Sequence, residues 1–224
     1  MTIPYSTADW DRCFTSFHAL LGRLPSPTEQ NRLQQFTFHL LEWNEKFNLI
    51  GPSARTSLLD RHILDSTTLL PLLPSTVKIA DMGSGAGFPG LILAILSDGS
   101  SSFHLYESSQ KKAGFLNFIA TELQLNDYVT IFPERVEQAR QANQYGCVTS
   151  RAVASLETLA KMAKYLLRPQ GISLAMKGRG VQEELKGFLT TRIAKSFSAP
   201  QVIPAGEGVV VRMHLVSRET RPRT

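Results

Sequence analysis

The residues best suited to chemistry in this chain surround a run of glycines. The run lies between the apolar segments 77–82 and 91–96, and it comprises Gly83, Gly85, Gly87 and Gly90. A strand that leads into a glycine-rich turn and then a helix is the ligand-binding start of an open α/β sheet. Glycines suit such a turn because it needs positive φ angles and because the backbone must approach a ligand without intervening Cβ atoms. The segment therefore predicts a site for a nucleotide-like ligand.

The acidic residues near this turn narrow the class of ligand. The glycines fit the pattern G-x-G-x-x-G, which alone is weak evidence, since a tight turn without a ligand has it too. A dinucleotide site also needs an acid about 20 positions on for a ribose hydroxyl, and Glu107 meets that condition. However, Asp81 ends the preceding strand, where dinucleotide-binding folds usually keep an apolar residue. A carboxylate there favours a cationic ligand such as S-adenosylmethionine, and the motif of P-loop NTPases does not occur.

A parallel sheet is needed to bring these residues together, and the chain after residue 76 alternates accordingly. Predicted strands cover 77–82, 102–107, 128–132, 146–151, 171–177 and 208–217, with a short strand near 200–204 that forms an antiparallel edge hairpin with the last one. Predicted helices cover 89–97, 109–124, 134–142, 155–167 and 179–195. This alternation predicts an α/β fold with a mostly parallel seven-stranded sheet and helices on both faces.

The first 74 residues are predicted to be helical. Apolar residues at helical spacing predict a helix over 6–21, and the capping box Ser26-Pro-Thr-Glu29 begins a second helix that runs to about residue 48. A third helix is predicted over 55–72. We therefore expect an N-terminal helical extension, residues 1–74, packed on a Rossmann-like core, residues 75–224.

Composition and charge limit the class of protein. The apolar fraction is 42%, and no run approaches the roughly 18 apolar residues of a membrane-spanning helix. The N-terminus has no secretory signal pattern, and the two cysteines have no metal-ligand spacing, so we expect a cytoplasmic protein without a metal. Residues 1–150 carry 11 Lys+Arg and 14 Asp+Glu (−3), whereas residues 151–224 carry 13 and 5 (+8). An RNA partner requires such a basic half, although a solvated face without a partner explains it equally well.

The segment Asp81–Gly90 resembles the signature of the RsmG (GidB) family of bacterial ribosomal RNA methyltransferases. Three further matches occur in the same order and spacing: Trp43–Leu49 with Arg61–Ser66, then Glu107–Leu116, then Ser150–Leu156. The resemblance covers roughly residues 30–180, and the combination of motifs is specific although no single motif is. The turn 169–171 departs from the family, which usually has a second glycine there.

The resemblance implies a class I methyltransferase fold, with S-adenosyl-L-methionine as cofactor. It also implies methyl transfer to N7 of a guanosine in 16S ribosomal RNA, with that RNA or the small ribosomal subunit as partner and neither a membrane nor a metal. The N7 atom has a free lone pair, so we expect no general base and hence no catalytic residue. Three alternatives stay open: a methyltransferase of the same fold with another RNA or protein substrate, an NAD(P)-dependent oxidoreductase, and a non-catalytic cofactor-binding RNA module.

The resemblance, together with the glycine loop and the residues at the expected ligand edge of the sheet, indicates individual site residues. The cofactor-binding residues are Gly83, Gly85, Phe88, Glu107, Val136, Glu137 and Arg151. The candidate substrate-binding residues are Arg61, His62, Arg151, Lys177 and Arg179. An ion pair between Arg61 and Asp65, which are four residues apart on the predicted third helix, explains those two residues without any ligand. Further phosphate contacts are expected from Lys161, Lys164, Arg168 and the arginines at 218, 221 and 223.

Overall fold

The sheet of this protein has seven strands in the order β3-β2-β1-β4-β5-β7-β6. A computed structural model describes residues 5–151 and 154–216. The strands are β1 (Lys78–Met82), β2 (Ser102–Tyr106), β3 (Val129–Phe132), β4 (Tyr145–Arg151), β5 (Leu167–Lys177), β6 (Gln201–Ala205) and β7 (Gly208–His214). Strands β1 to β5 pair in parallel, and β7 runs antiparallel to both β5 and β6. The predicted mostly parallel sheet with an antiparallel edge hairpin is confirmed.

Helices cover both faces of the sheet. They are α1 (Thr7–Leu21), α2 (Pro27–Phe47), α3 (Pro52–Thr56), α4 (Asp65–Thr67), α5 (Gly90–Ser97), α6 (Gln110–Glu122), α7 (Leu156–Leu166) and α8 (Val181–Leu189). Alternate residues of each strand point to opposite faces. Ile79 of β1 accordingly packs in one core with α1, α2, α5 and α6, while Ala80 packs in a second core with α7 and α8.

The N-terminal helices begin where the sequence places their caps. Ser26 and Glu29 form the predicted capping box, and Ser6 and Asp9 form another at the start of α1. Because α1 and α2 share the core that contains α5 and α6, they cover one face of the sheet. The division of the chain at residue 74 into an extension and a core stays a prediction.

Three predicted helices differ in the structure. The helix over 55–72 is wrong as a single element. Helix α3 ends at Thr56, the next residue, Ser57, leaves helical geometry, and a π-helix (Leu59–Leu64) leads into α4 and a 3-10 turn (Leu70–Leu72). The helix over 134–142 is also wrong, since only the 3-10 turn Val136–Gln138 forms there. Only two of its residues, Val136 and Ala139, are buried apolar side chains, too few for a helical stripe.

The predicted helix 179–195 is interrupted after α8. The hydroxyls of Thr190 and Thr191 donate to the carbonyls of Gly187 and Phe188, so they compete with continued helical bonding. A 3-10 turn, Ile193–Ser196, follows. The last predicted strand ends at His214, and its final position, 217, lies outside the described residues. Within residues 5–151 and 154–216, no helix is long and apolar enough to cross a membrane.

Candidate functional site

The glycine loop joins β1 to α5 and is held against the end of β2. The backbone N–H groups of Gly83 and Ser84 both donate to the carbonyl of Tyr106, at 2.9 and 3.0 Å. Gly83, Gly85 and Gly87 have φ angles of +69°, +59° and +106°. Residues with a Cβ rarely adopt such angles, so glycine is required here by the backbone. The loop therefore has the conformation that the sequence predicts.

Asp81, near the end of β1, stabilises this loop through its side chain. Its buried carboxylate accepts hydrogen bonds from Thr149 Oγ1 (2.7 Å) and from the backbone N–H of Gly90 (3.1 Å). Burial raises the pKa of Asp81 to about 6, against the opposing effect of these hydrogen bonds. The carboxylate thus ties β1 to β4 and to the first residue of α5, and its effect on a cationic ligand stays a prediction.

Glu107 connects the loop to the segment that follows β2. One of its carboxylate oxygens accepts from the N–H of Gly85 (2.8 Å) and the other from the N–H of Ser109 (2.7 Å). A carboxylate offers about four acceptor positions, so lone pairs remain for a ligand. A Cβ built on Gly85 would meet only the carbonyl oxygen of Gly83, 3.9 Å away. The position beside Gly85 is therefore open, and Glu107 is bonded to the N–H of that residue.

Phe88 lies on the side of the loop that faces the N-terminal helices. Its ring is 5.5 Å from that of Phe36 in α2 and 5.0 Å from that of His62 in the π-helix, centroid to centroid. Only 7% of Phe88 is exposed. The residue therefore fixes the loop against the helices, in addition to the cofactor contact predicted for it.

The other two predicted cofactor residues follow β3. Val136 is buried in the core that contains Tyr106, whereas the neighbouring Glu137 is exposed. Both belong to a 3-10 turn and not to the start of an α-helix. Their role in cofactor binding stays a prediction.

A second group of residues gathers where β4 ends. The Arg151 guanidinium donates to the backbone carbonyls of Arg61 and His62, and it lies 3.8 Å from the Asp65 carboxylate. Burial lowers the pKa of Arg151, while the charge of Asp65 partly offsets that effect. Arg61 pairs with Glu207, in the turn between β6 and β7, so the ion pair with Asp65 considered from the sequence is wrong.

These residues line a cavity of about 530 Å³ between α3, the π-helix, the ends of β4 and β5, and the β6–β7 turn. Its charged lining consists of Arg61, Asp65, Arg151, Lys177 and Glu207. His62 also lines it, and burial, helped by the charges of Arg151 and Arg61, lowers the pKa of His62 to about 4. The imidazole is therefore neutral at pH 7, and its ring separates the cavity from Phe88.

The remaining predicted substrate residues differ in accessibility. Lys177 is mostly buried: its ammonium donates to the carbonyl of Ala154 (2.6 Å) and to Glu184 (2.8 Å). Arg179 is exposed and donates to the carbonyl of Glu207 at 2.7 Å. Lys161, Lys164 and Arg168 are exposed, and the predicted arginines at 218, 221 and 223 lie outside the described residues.

Comparison with known proteins identifies the family. The family model described as rRNA small subunit methyltransferase G (GidB) matches residues 29–213. The chain belongs to this family. Among the relatives named ribosomal RNA small subunit methyltransferase G, that of Acidiphilium cryptum is 43% identical over 156 residues, covering 68% of this chain and 70% of the relative. That of Coxiella burnetii is 34% identical over 196 residues, covering 88% and 91%. The predicted family is confirmed, and with it the predicted enzyme class, a ribosomal RNA methyltransferase.

Solved structures support the fold of this GidB-family chain. A SAM-dependent methyltransferase from Aquifex aeolicus superposes with a TM-score of 0.59 at 13% identity, covering 79% of this chain and 98% of that one. The tRNA (m1A58) methyltransferase TrmI from the same organism superposes with a TM-score of 0.56 at 13% identity, covering 68% of each chain. The predicted class I methyltransferase fold is confirmed.

Two residues of this candidate site do not stand out in the sequence. Thr149 donates a hydrogen bond to the carboxylate of Asp81. The carboxylate of Glu207 pairs with Arg61, and its backbone carbonyl accepts a hydrogen bond from Arg179. A threonine inside an apolar strand, two residues before Arg151, was the available signal for Thr149. For Glu207, the only acid between the last two predicted strands, nothing in the sequence indicates that it reaches a residue 146 positions earlier.

Proposed function

We propose that this chain transfers a methyl group from S-adenosylmethionine to N7 of a guanosine in the 16S ribosomal RNA of the small subunit. The observation that carries the proposal is the open cradle formed by Gly85 and Glu107 after β1 and β2, together with a polar cavity at the end of β4. Ligands of open α/β sheets bind at this carboxyl edge. The family match over residues 29–213 supports ribosomal RNA as substrate.

The residues of the cradle suit the cofactor. Bound S-adenosylmethionine supplies an electrophilic methyl group on a sulfonium. The residues proposed to hold it are Gly83, Gly85, Phe88, Glu107, Val136, Glu137 and Arg151. Glu107 would accept hydrogen bonds from the ribose hydroxyls with the lone pairs that Gly85 and Ser109 leave free. A side chain at Gly85 would project into the same space.

The cavity serves the acceptor base. Guanine N7 has a free lone pair, so the chain needs no general base; it has to orient the base and exclude water. Arg61, His62, Arg151, Lys177 and Arg179 are the proposed substrate residues. Neutral His62, between the cavity and Phe88, gives the base an uncharged surface on the side of the cofactor loop. The target nucleoside would be unstacked from its neighbours in order to enter.

Phosphate contacts of the basic second half supply the affinity for RNA. Residues 151–224 carry 13 Lys+Arg against 5 Asp+Glu. Because each neutralised phosphate releases counterions, binding should weaken steeply as salt increases. We propose neither a metal nor a membrane as partner. The proposed substrate places the protein in the cytoplasm, because ribosomal subunits are found there.

The experiment incubates the protein with cofactor labelled in the methyl group and with small-subunit RNA or particles, and maps the label by mass spectrometry. Label on N7 of a guanosine supports the proposal. Label at another RNA position or on a protein favours the rival substrates. Cofactor binding without transfer to either favours the non-catalytic module. Calorimetry with S-adenosylmethionine and with NADH separates the oxidoreductase, which alone should bind NADH.

A further inference from the structure

We propose that Asp65 selects guanine, its carboxylate accepting hydrogen bonds from N1–H and from the exocyclic amino group of the base in the cavity. The inference rests on the proposed function, because it names how that site chooses its substrate base. It assigns a specificity-determining role to a residue whose ion pair with Arg61, expected from the sequence, does not form.

The first observation is the position of Asp65 in a space of suitable size. The cavity of about 530 Å³ falls within the range of about 300–1,000 Å³ that is usual for small-molecule pockets. Asp65 lies in its wall at the start of α4, and 18% of its side chain is exposed. The carboxylate therefore reaches the cavity while the body of the residue is held in the fold.

The second observation is that the carboxylate oxygens of Asp65 lack hydrogen bonds. Its ion-pair partner, Arg151 Nη2, is 3.8 Å from Oδ2, which exceeds hydrogen-bond length. Among the described residues, no donor bonds to either oxygen, and the charges of Arg151, Arg61 and Glu207 act on the group only through space. Burial raises the pKa of Asp65. A partly buried carboxylate without donors is costly, so donors from a ligand would stabilise it.

The neighbours of Asp65 fix its orientation without filling its acceptor positions. The N–H groups of Arg151 are directed to the carbonyls of Arg61 and His62. Gly206 packs directly against the carboxylate, since a Cβ there would overlap Oδ1, and its φ of +55° also favours glycine. The turn between β6 and β7 thus presses on the carboxylate through backbone alone. The group is preorganised for a ligand on the cavity side.

The hydrogen-bonding groups of guanine are arranged so that a carboxylate can bind one edge of the base without covering N7. Guanine presents two donors, N1–H and N2–H₂, on one edge, and the acceptors O6 and N7 toward the other. A carboxylate matches the donor edge with two bonds. Adenine has an acceptor at N1 and no amino group at C2, so it would face Asp65 with a lone pair. An arginine that bound O6 and N7 would occupy the atom to be methylated. Recognition by Asp65 leaves N7 free.

The test compares small-subunit RNA that carries guanosine at the target position with RNA that carries inosine there, which keeps N1–H and N7 and lacks only the amino group. A hydrogen bond to a charged group contributes about 1.5–3 kcal/mol, so the wild-type kcat/KM should fall at least about tenfold with inosine. In Asp65→Asn the rate on guanosine should fall by a similar factor, and the ratio of guanosine to inosine rates should approach one. Asp60→Asn, which removes an exposed carboxylate that does not line the cavity, should keep the wild-type ratio.

Several results would overturn the inference. The wild-type enzyme methylating inosine and guanosine equally fast excludes a contact to the amino group, and this arm needs no variant. An unchanged ratio in Asp65→Asn excludes Asp65 as its source. If Asp65→Asn no longer binds S-adenosylmethionine in calorimetry, Asp65 contributes to the cofactor site and not to recognition of the base. Failure of the proposed function looks different, because the wild-type enzyme would then place no methyl group on N7 of any guanosine.

Discussion

Replacing Gly90 by alanine should lower the free energy of unfolding by about 2–4 kcal/mol. The new Cβ would lie 2.5 Å from Asp81 Oδ2 and 2.6 Å from Leu105 Cδ2. Neither neighbour is free to move, since Asp81 is held by Thr149 and Leu105 is fully buried in β2. Overpacking costs about 1–3 kcal/mol, and displacing the Asp81 carboxylate weakens hydrogen bonds that contribute about 1.5–3 kcal/mol each. The small gain in helix propensity at the start of α5 offsets part of this loss.

Urea unfolding followed by circular dichroism measures this loss. The matched control is Gly114→Ala in α6, where a Cβ would have no atom within 4 Å. That variant should be stabilised by up to about 1 kcal/mol, the difference in helix propensity between glycine and alanine. The reasoning is refuted if Gly90→Ala unfolds within about 0.5 kcal/mol of the wild type, which is the scatter of neutral surface substitutions.

Further predictions concern the ionisable groups. The pKa of Asp81 is raised to about 6 from 3.8, so the stability that its protonated form contributes is complete below pH 3.8 and is lost as the pH rises through 6. In urea unfolding, the wild type should therefore lose stability relative to Asp81→Asn between pH 4 and pH 7. A difference between the two proteins that stays constant with pH would exclude the raised pKa. Glu107→Gln should weaken S-adenosylmethionine binding about tenfold or more in calorimetry, because an amide N–H₂ group replaces one acceptor oxygen. The control Asp127→Asn, at an exposed position, should bind the cofactor as the wild type does. Equal affinities of Glu107→Gln and the wild type would place the ribose elsewhere. Lys177→Met should lower the free energy of unfolding by about 2 kcal/mol, because its bonds to Glu184 and the Ala154 carbonyl are lost. Unchanged stability in urea unfolding would refute this structural role, which adds to the substrate role proposed for Lys177.

The local signals in the sequence account for much of the fold. The alternation of strands and helices after residue 76 located all seven strands, and the box Ser26–Glu29 marked the start of α2. The glycines before α5 predicted the positive φ angles of the loop. These features could be predicted because each depends on residues close together in the chain.

The features that the sequence did not predict depend on chain topology. Arg151 meets the carbonyl of His62 across 89 positions, and Arg61 meets Glu207 across 146. Such pairs follow from the strand order, and no local pattern encodes them. The bond that Asp81 accepts was missed for the same reason, since its partner Thr149 is on a strand 68 positions later. The π-helix was missed because its side chains are compatible with an ordinary helix.

Chemical detection of 7-methylguanosine tests the central claim most directly. Small-subunit RNA is incubated with S-adenosylmethionine and either the wild-type protein or Gly83→Asp, in which a side chain would occupy a position with a φ of +69°. The RNA is then reduced with borohydride and treated with aniline, which cuts the chain at 7-methylguanosine. We expect one new cut after incubation with the wild type and none with Gly83→Asp. Methylated RNA that resists cleavage, or a cut of equal strength with Gly83→Asp, would contradict N7 transfer from a cofactor held by the glycine loop.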